Sequence, residues 1–340
     1  MTFDNTSVLK SKLRWNSIAK PLGGLGLLED MVSKIAGIQR TEDVSITHRT
    51  AVIMCSDNGI VSEGVSQSDS RVTAQVAKEI AAGRSSVNML ANQFSTEILT
   101  VDIGIDSDIY CSNIINKKIA YGTRSIAKGP AMAPSQARKA ISNGIEIVYD
   151  LCRNGTDIII TGEMGIGNTT TSAAIASVIL GIPAEITTGR GAGLDSSGMS
   201  RKIAAIHRAI KLNKPDPTDP IDVLSKLGGF DIAGMTGLFL GGAECGIPIV
   251  IDGVISAVSA CLAEMISPGC RDFMLPSHVS NEARLLLEKL GLKAPINAGF
   301  HLGEGTGGIM LLPLLDGALA VYNGAHRFDE MNMERYKELK

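Results

Sequence analysis

The chain has 340 residues, 44% of them apolar, and a formal net charge of −3. That length and apolar content support one large core or a core with a smaller lobe. The balanced charge, with no basic stripe interleaved with aromatics, argues against a nucleic-acid partner. Glycine is over-represented at 37 residues while aromatics make up only 4%. A glycine share of about 11%, against an average near 7%, points to tight strand-to-helix turns and close backbone approach to a ligand.

Residues 1–20 are polar and charged throughout, so no secretory signal is expected. Residues 8–39 read as helical, interrupted by Pro21 and the glycines Gly23, Gly24 and Gly26. The apolar run 51–55 predicts a short strand that ends in the loop Ser56-Asp57-Asn58-Gly59. One helical period spans 72–92, and 97–103 predicts a second strand. The alternation then repeats more clearly, with helix 135–152, strand 157–160, helix 169–180 and helix 200–212. Residues 214–220 read as a Pro/Asp loop. Helix 232–244, strand 247–251, helix 254–266, strand 273–275, helix 281–290 and a last apolar helix 305–322 complete the pattern. Strands alternating with helices of this length predict an α/β fold, a doubly wound and mostly parallel sheet covered on both faces. The ligand crevice of such a sheet lies beyond the carboxyl ends of its strands.

The longest apolar stretch, around 253–266, is too short and too interrupted to span a bilayer, so no membrane association is expected. Cys55, Cys111, Cys152, Cys245, Cys261 and Cys270 show no metal-ligand spacing. They read as small buried hydrophobes of a protein in the reducing cytoplasm. His48, His207 and His326 read as solvated. His278 is a site candidate by its position after a strand, and His301 neighbours a glycine-rich motif.

Four segments can carry chemistry. The first, Thr161-Gly162-Glu163-Met164-Gly165-Ile166-Gly167-Asn168-Thr169-Thr170-Thr171, follows a strand and opens a helix. Its glycines let backbone N–H groups reach an anion at a helix N-terminus. The alternative is a tight strand–helix turn with a cap. It is neither a Walker loop nor a dinucleotide G-x-G-x-x-G fingerprint. In the second, Gly189-Arg190-Gly191-Ala192-Gly193-Leu194-Asp195, Arg190 is either a fork for phosphate or carboxylate or an ordinary loop arginine. The third, Leu302-Gly303-Glu304-Gly305-Thr306-Gly307-Gly308, frames a carboxylate with glycines at a helix entry, which a dipole partner alone does not require. In the fourth, Asp57 reads equally as a ligand of sugar hydroxyls and as a turn aspartate. No H-E-x-x-H or G-x-S-x-G pattern occurs, which removes zinc-protease and α/β-hydrolase readings.

Together these strings resemble the nicotinate-nucleotide:dimethylbenzimidazole phosphoribosyltransferase (CobT) family. The resemblance is carried by K-P-L-G-G-L-G-L-L-E at 20–29, G-E-M-G-I-G-N-T-T at 162–170 and G-R-G-A-G-L-D at 189–195. It continues in G-G-F-D-I-A-G-M at 228–235, P-I-V-I-D-G at 248–253 and L-G-E-G-T-G at 302–307. It implies a large α/β domain at 51–300 and a smaller helical lobe from 1–50 and 301–340, assembled as a homodimer. It implies transfer of the phosphoribosyl group of nicotinate mononucleotide to an aromatic base for cobamide synthesis, with no metal or other cofactor.

By the same resemblance Glu304 is the catalytic base and Glu163 the acidic residue near the ribosyl centre. Gly165, Gly167, Asn168, Thr169, Thr170, Gly189, Arg190, Gly191 and Gly193 would hold phosphate and ribose, with Gly303 and Gly305 framing the base. The sequence departs from the family in Asp57-Asn58-Gly59, where Asp-His-Gly is usual. It departs again in Ser66-Gln67-Ser68-Asp69-Ser70, where Tyr-Pro-Gln is familiar, and in Val279. The second departure changes the acceptor side, so Ser66, Ser68 and Ser70 join the substrate-binding candidates, with Asp57 counted among them as a ligand of sugar hydroxyls. Two alternatives stay open on these residues. One is the catalytic chain of a phenol/p-cresol-transferring heterodimer with a paralogous chain (ArsA-like). The other is a non-catalytic nucleotide-binding regulatory paralog.

Overall fold

The computed structural model describes residues 2–336. Two N-terminal helices, α1 (Asn5–Ser17) and α2 (Leu27–Gln39), precede β1 (Arg49–Ser56). Then follow α3 (Arg71–Ala81), α4 (Ser86–Gln93), β2 (Thr96–Gly104), β3 (Ile114–Asn116), α5 (Pro134–Arg153) and β4 (Ile158–Met164). The chain continues through α6 (Asn168–Leu180), α7 (Ala184–Thr187), α8 (Ser196–Asn213), α9 (Pro220–Leu227) and α10 (Phe230–Cys245). It ends with β5 (Ile249–Ile251), α11 (Gly253–Ile266), β6 (Met274–Pro276), α12 (Asn281–Leu290) and α13 (Thr306–Gly324).

The strands form one six-stranded sheet in the order β3-β2-β1-β4-β5-β6, and every pairing is parallel. This doubly wound order reverses direction between β1 and β4, which opens a crevice beyond their carboxyl ends. Side chains alternate across the sheet. Val52, Met54 and Ile159 enter a core with α5, α6, α10 and α11, whereas Ala51, Ile53, Cys55, Ile158 and Ile160 enter one with α2 and α13. With both faces covered, the strands read as continuous apolar runs instead of alternating ones.

The chain ends meet on the second face. Trp15 of α1 packs on Tyr322 of α13 with ring centroids 4.8 Å apart, and Arg14 donates to Asn323 at 2.8 Å. The longest apolar helix is α13, not the 253–266 stretch. Its 19 residues are long and apolar enough to cross a membrane, yet Ile309, Leu311, Leu312 and Leu315 are fully buried within the core.

Elsewhere the predicted elements shift in three places. The single helix expected over 72–92 is two, parted at Gly83, whose φ is +76. The strand expected over 157–160 runs on to Met164, which puts Glu163 on the strand itself. The loop expected over 214–220 ends in the start of α9, where Asp219 caps and Pro220 occupies the first turn. Cys55, Cys261 and Cys270 are buried as expected, while Cys111, Cys152 and Cys245 are partly exposed.

Candidate functional site

A cavity of about 510 Å³ sits beyond the ends of β1, β4 and β5, at the reversal of strand order. Glu163, near the end of β4, and Glu304, before α13, both line it. Glu304 has φ +58 between Gly303 at +84 and Gly305 at +82. Three consecutive left-handed residues make a backbone kink that costs about 1 kcal/mol or more at the non-glycine centre. Gly162 accommodates it, because a Cβ there would lie 3.0 Å from the Glu304 carbonyl. Gly303 likewise makes room for Glu163, whose Oε1 would sit 2.8 Å from an added Cβ. The glycine framing is therefore steric, and it presses one carboxylate loop onto the strand bearing the other.

Glu163 rests on a buried polar network. The Asn168 amide donates to Glu163 Oε2 and to Asp231 Oδ2 at 3.0 Å. Asn58 donates to the same Asp231 oxygen at 3.4 Å, and Thr171 donates to Asn58 Oδ1 at 3.2 Å. Burial pushes the Glu163 carboxyl up to about 8, helped by negative Asp231, Asp252 and Glu304 and opposed by the Asn168 hydrogen bond. Asp231 is pushed up to about 6 by burial, against donors from Asn168, Ile232 and Asn58. Glu304 is also raised, by burial first and by Asp252 second.

The same cavity carries groups suited to an anion. Gly165, Gly167, Asn168 and Thr169 form the entry to α6, with Gly189, Arg190 and Gly191 beside them in the lining. The N–H groups of the first helical turn have no intrahelical acceptor and carry positive partial charge. Lys202 of α8 lies beneath them, 1% exposed. Its ammonium donates to Thr169 Oγ1 at 2.9 Å and to the Gly189 carbonyl at 3.0 Å. Burial lowers it to about 8, against the attraction of Glu282. No sequence motif marked this lysine. The available signal was its place on the apolar stripe of α8 with Gly198, Ala205, Ile206 and Ala209.

Ser66 and Gly303 also line the cavity, and the partly exposed Arg190 braces its own loop by donating to the Leu194 carbonyl at 2.7 Å. The other candidates fall outside the lining. Thr170 is fully buried. The Gly193 carbonyl accepts from Gln67, and the Gly305 N–H points beneath the site to Asp252 at 3.0 Å. Asp57 accepts from the Asp106 N–H at 2.8 Å. The Ser68 N–H donates to Ser66 Oγ at 3.2 Å, and Ser70 occupies the N-cap position of α3. Of the stretch expected to shape the acceptor side, Val65, Ser66 and Gln67 reach the cavity, with Met164, Ile166 and Phe300 supplying apolar wall. The 20–29 string is structural, its turn closed by the Lys20–Glu29 ion pair at 2.6 Å.

His278 lines the floor. Ser277 donates to the Ile251 carbonyl at 2.7 Å, so at 2.9 Å it can only accept from His278 Nδ1–H. This leaves Nε2 bare, and burial lowers the imidazole's affinity for a second proton, against Asp252. His301 is exposed at the mouth, and His48, His207 and His326 are exposed elsewhere. Among the described residues no group of three or more His, Cys, Asp or Glu side chains is arranged to hold a metal ion.

A doubly wound sheet whose crevice brings a helix N-terminus and a buried lysine together with paired, raised carboxylates defines an enzyme that handles phosphorylated nucleotides. Comparison with known proteins narrows the class. The family model for phosphoribosyltransferases matches residues 2–333, and the chain belongs to that family. The nicotinate-nucleotide–dimethylbenzimidazole phosphoribosyltransferase of Ruminiclostridium cellulolyticum is 45% identical over 97% of this chain and 95% of its own. The enzyme of the same name from Clostridium acetobutylicum is 44% identical over 99% and 96%. The crystal structure of CobT from Thermus thermophilus superposes with a TM-score of 0.92 at 32% identity, over 97% of this chain and 100% of that one.

Proposed function

We propose that this enzyme transfers the 5-phosphoribosyl group of nicotinate mononucleotide to a base of the 5,6-dimethylbenzimidazole type. The products are nicotinate and an α-riboside 5′-phosphate for cobamide synthesis. The named relatives support this reading over nearly the whole chain. They lend no support to the phenol-transferring or regulatory alternatives. The observation that supports the residue roles is one cavity lined by Glu163 and Glu304 together with Lys202 and the glycine loops.

In this reading the loops at 165–169 and 189–191 hold the 5′-phosphate and Lys202 neutralises it. The leaving nicotinate is already a pyridinium, so it needs no proton to depart. The acceptor nitrogen attacks the anomeric carbon from the opposite face as the glycosidic bond breaks, which inverts β to α. Glu304 takes the proton released by the acceptor, and burial makes its carboxylate a stronger base than a solvated one. Glu163 faces the ribosyl carbon and stabilises its developing positive charge. At neutral pH its carboxyl is mostly protonated in the free enzyme, and the bound pyridinium drives it to ionise. The assembly we propose is a homodimer in the cytoplasm. Glu304→Gln tests the assignment: turnover measured by nicotinate release should drop by about 10²–10⁴-fold, and near-wild-type turnover would remove Glu304 as the base.

A further inference from the structure

Asp252 follows β5 directly and occupies the N-cap position of α11, yet its side chain makes no capping bond to that helix. Its carboxylate serves α13 instead. The Gly305 N–H donates to Oδ2 at 3.0 Å and the Gly308 N–H to Oδ1 at 2.9 Å. The N-cap residue of α13 is Gly305, which has no side chain to offer, so two donors of the first turn depend on a carboxylate from another element. Asp252 is 4% exposed, and His278 Nδ1 lies 4.0 Å from its Oδ1. Gly307 leaves this pair its room, because a Cβ there would overlap the imidazole.

We propose that Asp252 is the positioning residue for Glu304. By capping α13 across the sheet it anchors the amide immediately after Glu304 and so holds the left-handed turn that aims this carboxylate at the acceptor. Gly162 supports the turn from below and Asp252 fixes it from the C-terminal side, so the base is located by two strands at once. With this carboxylate gone, the helix start would be uncapped and the turn free to relax out of its unfavourable φ. This inference rests on the reading of Glu304 as the base.

The test is a double-mutant cycle with nicotinate release as readout. Asp252→Asn keeps the volume but turns an amide N–H against a backbone N–H. It should lower kcat by about 30- to 100-fold, the scale of a misplacement near 1 Å, with KM for nicotinate mononucleotide changed by less than about threefold. In the Glu304→Gln background the same change should lower the residual rate by less than about threefold, because there is no base left to aim. An equal factor in both backgrounds, or a raised KM with kcat intact, overturns the proposal. Near-wild-type turnover by Glu304→Gln alone would instead refute the base assignment. If Asp252→Asn does not fold, Asp252→Ser keeps one acceptor for Gly305 or Gly308 and is read by the same two criteria.

Discussion

Replacing Lys202 by methionine should leave the free enzyme about as stable near pH 7 and make it a poorer binder of its phosphorylated substrate. The ammonium is held at about 8 instead of 10.5 by burial, which corresponds to about 3 kcal/mol of penalty on its charged form. A lysine with a lowered folded value is penalised fully below pH 8. The penalty fades as pH rises from about 8 to 10.5, where the unfolded chain also loses its proton. Methionine removes the penalty, and the loss of the two charge-assisted bonds to Thr169 and the Gly189 carbonyl takes back about 3 kcal/mol or more. The two terms nearly cancel near pH 7, so Tm should move there by no more than about 2–4 °C. Calorimetry from pH 6.5 to 10.5 should show the variant losing ground to the wild type above pH 8. Affinity for nicotinate mononucleotide should drop about 100-fold, the equivalent of about 2.7 kcal/mol for a lost charge-assisted contact. An unchanged affinity would refute the placement of the phosphate.

Binding of nicotinate mononucleotide near pH 7 should release a proton from Glu163, whose value of about 8 in the free enzyme falls beside the bound cation. Titration calorimetry in buffers of different ionisation enthalpy measures this, and Glu163→Gln should abolish the part due to that carboxyl. Gly162→Ala places a methyl group against the Glu304 backbone and Ile53. It should cost about 1–3 kcal/mol of stability and depress kcat more than it raises KM, as unfolding and steady-state assays would show. Replacing Ser66 or Gln67 should alter the preference among benzimidazole acceptors, whereas Ser68→Ala and Ser70→Ala should leave it within about twofold, since only the first pair reaches the cavity.

Most of the fold was legible because buried parallel strands and apolar helices leave long, one-sided patterns. The gaps have physical causes. β3 is three residues long and carries no period. Pro220 reads as a loop residue until Asp219 is recognised as the cap that makes it a first-turn proline. Glu163 looked like a loop residue because its glycine neighbours resemble a turn, but Gly162 is a strand residue where another backbone lies close. The glycine loops and both glutamates were visible as motifs. Lys202 and Asp252 were not given roles, since each acts through burial and distant partners. Ser68 and Ser70 were drawn in by adjacency, and the helix that begins at residue 71 turns them away from the cavity.

The placement of α13 also fixes when the active centre can exist. Glu304 enters the chain after all six strands, and its helix fills the sheet face on which α1 and α2 also rest, tied to α1 through Trp15 and Tyr322. During synthesis the sheet can pair while that face stays open and apolar, the condition in which long parallel chains are most prone to aggregate. Docking of the late helix closes the face and delivers the base in the same event. A chain stopped before residue 304 would leave that face uncovered as well as lack the carboxylate proposed as the base.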